Sequence, residues 1–214
     1  VTVNEIYQTI ANEKPSVIYL SGKTSTGKST FARKLRDSLG YRVIELEAVL
    51  LQIVTEKGFD EQSTFRKVLN DPGDLEEKAL FFEETDRAIS AAISKDRPVV
   101  IEGSVANVDT LQRILRPAEG AFFVYFHPND INAYLRNLTS RFLQSNEDSY
   151  AGLPLTFWQL IDRKEFKAFC ETGELTEGLS GSIREFAEAS RTDSLARLTN
   201  FRQKFKDIIE IEIQ

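Results

Sequence analysis

Residues 22 to 29 read Gly22-Lys23-Thr24-Ser25-Thr26-Gly27-Lys28-Ser29, a full match to G-x-x-x-x-G-K-[ST]. These residue types suit one task. Glycines let a loop close around an anion, and the backbone N–H groups of such a loop face the phosphates. Lys28 can reach the β- and γ-phosphates of a nucleotide, and Ser29 can ligate Mg²⁺. An ordinary strand-to-helix turn has no need of Lys and Ser after its second glycine.

Carboxylates stand at the ends of two apolar runs. Tyr41-Arg42-Val43-Ile44-Glu45-Leu46-Glu47 closes on two acids at i and i+2, a spacing that faces one side of a strand end and can bracket a metal and a hydroxyl. The alternative is a solvated helix start with an acidic first turn. Pro98-Val99-Val100-Ile101-Glu102-Gly103-Ser104 closes on Glu102, which can hold a Mg²⁺ water or polarise an acceptor hydroxyl. Gly103 permits close approach of a substrate.

These groups need rigid elements to hold them. Val17-Ile18-Tyr19-Leu20 is an apolar run bounded by glycine, a strand leading into the loop. Phe31, Leu35 and Leu39 mark a helix over 27–39, and Gly40 is a fitting stop. Further strands are expected at 41–45, 98–101, 121–126 and 208–213. Helices are expected at 3–12, 47–58, 74–95, 110–115, 131–143, 156–169, 183–189 and 193–206, with polar loops at 145–154 and 172–181. Apolar strands alternating with helices predict an α/β layer fold around a mostly parallel sheet.

The chain has 214 residues, which favours one domain. Its 27 Lys and Arg against 33 Asp and Glu give a net charge of −6, so anions must be bound by local donors and general nucleic-acid binding is not expected. The single cysteine, Cys170, excludes an internal disulfide and a thiolate zinc cluster, and the single histidine, His127, excludes a His-rich metal site. No run approaches 18 apolar residues, and no basic segment followed by an apolar one opens the sequence. A cytoplasmic setting without membrane partners is expected, as a monomer or homodimer. His127 reads as a strand-to-helix turn residue, and Cys170, Phe157 and Trp158 as packing.

GTPases need an N/T-K-x-D segment to select guanine, and none occurs. The stretch from Val17 to Thr30 resembles the opening of P-loop nucleoside, nucleotide and metabolite kinases, including chloramphenicol phosphotransferase-like and shikimate-kinase-like enzymes. That resemblance implies a three-layer fold with a five-stranded parallel sheet in the order 2-3-1-4-5. It also implies helices on both faces and a helical lid, here about residues 136–181, with an acceptor-binding segment at about 46–97. It implies ATP and Mg²⁺ as cofactors, with nucleotide contacts from Gly22 through Thr30.

By the same resemblance Glu45 lies near the metal with Ser29 and Glu102, and Glu47 lies near the acceptor. Glutamate stands where shikimate-kinase-like members have aspartate. Lid arginines that neutralise the moving phosphoryl group are expected at Arg136 and Arg141, with Arg184 and Arg191 as weaker alternatives. Arg66 is the candidate acceptor-binding arginine. The acidic run around Glu76-Glu77 and Glu83-Glu84 favours an uncharged or cationic small molecule as acceptor. The expected activity is ATP-dependent phosphoryl transfer to a hydroxyl of such a molecule. The alternatives are a nucleoside monophosphate kinase and a non-metabolic nucleotide-binding regulatory or toxin-like module.

Overall fold

A computed structural model describes residues 1–23, 25–58, 79–80, 83–84, 87, 91, 98–103, 122–128, 130–144, 157, 160–204 and 208–213. The chain divides into two compact units. The first comprises Val1–Ser21, Lys28–Tyr125 and Thr199–Ile211, and the second Gly22–Gly27, Phe126–Leu198 and Glu212–Gln214.

The first unit carries most of a sheet built from β1 (Val17–Gly22), β2 (Arg42–Glu45), β3 (Val99–Glu102), β4 (Phe122–Pro128) and β5 (Ile208–Ile213). The strands lie in the order β2-β3-β1-β4-β5. The pairs β1/β3 and β2/β3 are parallel, in a register that aligns Leu20 with Glu102 and Glu45 with Glu102. The loop 22–29 therefore begins at the same C-terminal sheet edge that holds these two acids. Open parallel sheets bind ligands at that edge. Val17 to Leu20 and Val99 to Ile101 are almost fully buried, as an apolar run covered on both faces must be. Tyr19 stacks on Phe123 at 5.2 Å between ring centroids, and Phe123 meets Phe201 edge-on at 5.3 Å.

Helices α1 (Val3–Glu13), α2 (Lys28–Leu39) and α3 (Leu46–Lys57) also belong to this unit. A capping box of Thr2 and Glu5 opens α1. Phe31, Ala32 and Leu35 give α2 its buried face. Residues 79, 80, 83, 84, 87 and 91 are helical, within the range where the apolar spacing predicts a helix over 74–95. The rest of that range, the expected helix at 110–115 and the expected loop at 145–154 lie outside the described residues.

The second unit contains α4 (Ile131–Gln144), α5 (Arg163–Thr172) and most of α6 (Glu177–Lys204). Its core is aromatic. Phe157 packs edge-on against both Phe166 at 4.9 Å and Phe186 at 5.0 Å, and Tyr134 stacks on Phe186. Among the described residues no helix is long and apolar enough to cross a membrane.

The structure corrects four sequence expectations. The helix predicted over 156–169 is interrupted at Ile161 and Asp162, because the Asp162 carboxylate accepts from the N–H groups of Lys164 and Glu165 and starts α5 there. The polar loop predicted over 172–181 shrinks to 173–176, since α6 already begins at Glu177 and passes through Gly178 and Gly181. The helices predicted at 183–189 and 193–206 are one helix of 28 residues. Its buried stripe runs Leu179, Ile183, Phe186, Ala187, Ser190, Ser194, Leu198 and Phe201, so two buried serines carry the 3.6-residue period across what reads as a polar gap. The strand predicted to end at Phe126 continues to Pro128, and this takes His127 out of the expected turn.

Candidate functional site

The loop 22–29 is one continuous stretch joining β1 to α2. Three of its residues, Gly22 (φ 131°), Ser25 (φ 62°) and Gly27 (φ 91°), have positive φ. Gly22 cannot be replaced without movement, because a Cβ there would lie 2.2 Å from the Phe126 carbonyl oxygen. Ser25 is a non-glycine residue in the left-handed region, a strained state that persists where the surroundings over-determine it. Its hydroxyl is buried without a hydrogen-bond partner among the described residues. The Thr26 hydroxyl donates to the Lys23 carbonyl at 2.6 Å and closes the loop on itself. Lys28 opens α2 with its side chain buried, only 6% of the residue being exposed. Ser29 and Thr30 are exposed in the first turn of that helix, and Thr24 lies outside the described residues.

Within the first unit, Glu102 ends β3 beside the start of α2. The Ser29 side chain hydrogen-bonds its carboxylate. Burial pushes the Glu102 carboxyl above the usual carboxylate range. The nearby Lys28 charge opposes this, Glu47 adds to the rise, the Ser29 hydrogen bond opposes it, and Glu45 adds to it again. A half-buried acid with a raised pKa next to a lysine is suited to taking and returning a proton.

The pairing of Glu45 with Glu47 on one strand face does not occur. The chain turns into α3 at Leu46, so Glu45 becomes the N-cap residue without a side-chain cap bond and Glu47 an exposed first-turn acid. Leu46 is buried tightly against Gly103, where a Cβ would come within 2.7 Å of the Leu46 Cβ. Gly103 thus makes room for Leu46. The carboxylate aligned with Glu45 is instead Glu102 on the neighbouring strand.

Within the second unit, the loop is tied to the middle of α6. The Lys23 ammonium forms an ion pair with Asp193, and Arg197 pairs with the same Asp193 oxygen at 2.9 Å. Burial lowers the Lys23 pKa despite the Asp193 hydrogen bond. For Asp193, burial acts upward but is outweighed by the Lys23 hydrogen bond and the Arg197 and Lys23 charges, so its carboxyl stays below the usual range. The next residue, Ser194, is fully buried and hydrogen-bonds His127 Nδ1 at 3.0 Å. Sequence reading misses both contacts, since 170 and 67 residues separate the partners.

Helix α4 runs unbroken past Arg136 and Arg141. Five residues rotate a helix by about 140° beyond a full turn, so the two arginines occupy different faces. Arg136 is exposed, and Arg141 is half-buried with its charge acting on Tyr134. Arg184 and Arg191 lie exposed on α6. Phe157 is core, and Cys170 packs against the same aromatic cluster with burial raising its thiol to about 11. Arg66 and Trp158 lie outside the described residues.

The loop fits a polyphosphate. It offers a buried lysine, an unpartnered buried hydroxyl at Ser25, and a backbone shaped by three positive φ angles. Among the described residues no group of three or more His, Cys, Asp or Glu forms a metal cage.

No family model matches the chain, and no curated protein matches it. Solved structures of kinases are similar to it. A sugar kinase from Janibacter sp. HTCC2649 has 13% identity, with 76% of this chain and 80% of that chain covered, at a TM-score of 0.46. A shikimate kinase from Acinetobacter baumannii has 13% identity, with 91% and 97% covered, at 0.38. A gluconokinase from Sinorhizobium meliloti 1021 has 14% identity, with 89% and 97% covered, at 0.39. At these identities and scores the likenesses say nothing of this chain's substrate.

Proposed function

We propose that this chain is a P-loop phosphotransferase that moves the γ-phosphate of ATP to a hydroxyl of a small molecule. The observation that supports this reading is the loop 22–29 itself. It combines a glycine pressed on a backbone carbonyl, an orphaned buried Ser25 hydroxyl and a buried Lys28 that opens a helix.

The loop N–H groups and Lys28 bind the polyphosphate. Ser29 and Glu102 would hold Mg²⁺, with Glu45 beside Glu102 on the sheet edge. A Mg²⁺ ion held there would neutralise phosphate charge. Glu102 orients the acceptor hydroxyl and accepts its proton, a task its raised pKa suits. Glu47, exposed in the first turn of α3, contacts the acceptor together with Arg66, within an acceptor-binding segment at about 46–97. Arg141 and Arg136 supply charge from a lid at about 136–181 that excludes water, so that the acceptor reacts in its place. All of this belongs to a single P-loop kinase-like domain with helices on both faces of its sheet.

The test is ATP consumption in the presence of a panel of nucleosides, nucleotides, sugars and antibiotics. One hydroxyl acceptor should raise consumption far above the basal rate, with one phosphorylated product per ATP used. Stimulation by a nucleoside monophosphate alone would replace this reading with a nucleotide kinase. Tight ATP binding with no stimulation by any acceptor would replace it with a regulatory module.

A further inference from the structure

The loop residue Lys23 is held at two points. Its carbonyl accepts from Thr26 inside the loop, and its ammonium is paired with Asp193 in the middle of α6. Lys23 is half-buried, so its charge has been moved largely out of water and needs a counter-charge close by. Asp193 supplies it and is itself held by Arg197 one turn further along the helix. The neighbouring Ser194 binds His127, one residue beyond the Phe126 carbonyl that Gly22 touches. Two consecutive residues of α6 are therefore stitched to the loop and to the strand end beneath it. Ser25, a non-glycine residue at positive φ, is a strained point of the loop that persists where surrounding contacts over-determine it.

We propose that Asp193 is a positioning residue for the phosphate loop, clamping it to α6 through Lys23 so that its N–H groups are set before a ligand arrives. The consequence for nucleotide affinity rests on the phosphotransferase reading above, whereas the clamp itself does not. An anion-binding loop ordered in advance avoids the entropy cost of ordering on binding. Loss of the clamp therefore raises the nucleotide KM more than it lowers kcat, because the reacting groups Lys28 and Glu102 are unchanged.

The test is amide hydrogen exchange of the loop peptide spanning residues 22–30 in the unliganded full chain, for wild type, Asp193→Asn, Asp193→Glu and Arg197→Gln. Exchange should quicken about tenfold or more in Asp193→Asn, return most of the way in Asp193→Glu, and change little in Arg197→Gln. Peptides from β1 and α4 should be unaltered. Unchanged loop exchange in Asp193→Asn would overturn the clamp, as would equal quickening across all peptides, which marks general destabilisation. Mg-ATP titration of the same proteins then separates the two readings. Weaker binding in Asp193→Asn, with rescue by Glu, supports the clamp's role in affinity, and unaltered affinity beside a loosened loop contradicts it. Failure of wild type to bind any nucleotide overturns the phosphotransferase reading, while the exchange result still decides the clamp.

Discussion

Two carboxylates each stand by a lysine of the same eight-residue loop, and their environments push them in opposite directions. Glu102, at the end of β3, has Lys28 nearby but also Glu47 and Glu45, and burial lifts its pKa. Asp193, in the middle of α6, is hydrogen-bonded by Lys23 and flanked by Arg197, and these outweigh burial. The difference lies in the balance of charge around each acid, since both have a lysine and both are partly removed from water. An acid that ionises reluctantly suits proton transfer, whereas one that ionises readily suits a permanent ion pair. The loop thus has one neighbour fitted for chemistry and one fitted for structure.

The largest expected effect breaks the first half of this contrast. Glu102→Gln should lower acceptor-stimulated turnover by about 10²- to 10⁴-fold. Between the ordinary value of 4.5 and its raised folded value, Glu102 holds more proton in the folded chain than in the unfolded one. Stability therefore falls as pH rises through that window, and the Gln variant lacks this fall. Thermal melts at pH 7 should give it a Tm equal to or above wild type, while a clear drop would mean that ionised Glu102 stabilises the fold.

Next in size is Gly22→Ala, which forces a Cβ against the Phe126 carbonyl at a φ of 131°. A loss of roughly 2 kcal/mol of stability is expected from such strain, read by denaturant titration. Asp193→Asn tests the other half of the contrast. The folded pKa of Asp193 is lowered, so its stabilisation is present above its ordinary value of 3.8 and is lost as pH falls through the lower folded value. The variant should be less stable at pH 7 by no more than about 1 kcal/mol, given solvent screening of a partly exposed pair. That gap should close in acid, and a gap independent of pH would point to packing instead of charge. The smallest effect is read in the pH dependence alone: Glu47→Gln, besides its cost in acceptor binding, removes one like charge from Glu102 and should move the acid limb of the pH–rate profile downward.

How far the sequence reveals this depends on distance along the chain. The loop is eight contiguous residues between an apolar strand and an amphipathic helix, so local pattern exposes it, and Glu102 stands out as an acid closing a buried run. Asp193 carries no such signal. It is 170 residues from Lys23 and reads as the start of a helix, because buried Ser190 and Ser194 disguise the continuity of α6. Glu45 and Glu47 mislead for a different reason. Alternation suggests a strand face, but Leu46 turns inward against Gly103 and starts a helix. The true neighbour of Glu45 is set by the β2/β3 register, which no local spacing encodes.

The most direct test of the central claim, that loop 22–29 holds nucleotide phosphates, is calorimetric titration of Mg-ATP into wild type and Lys28→Ala, each first shown to melt cooperatively. Wild type should bind one equivalent, and Lys28→Ala should lose the binding signal or weaken it by about 10²-fold or more, on the scale of removing a charged hydrogen bond from a dry site. Equal affinity in the two proteins, or no binding by wild type, would contradict it.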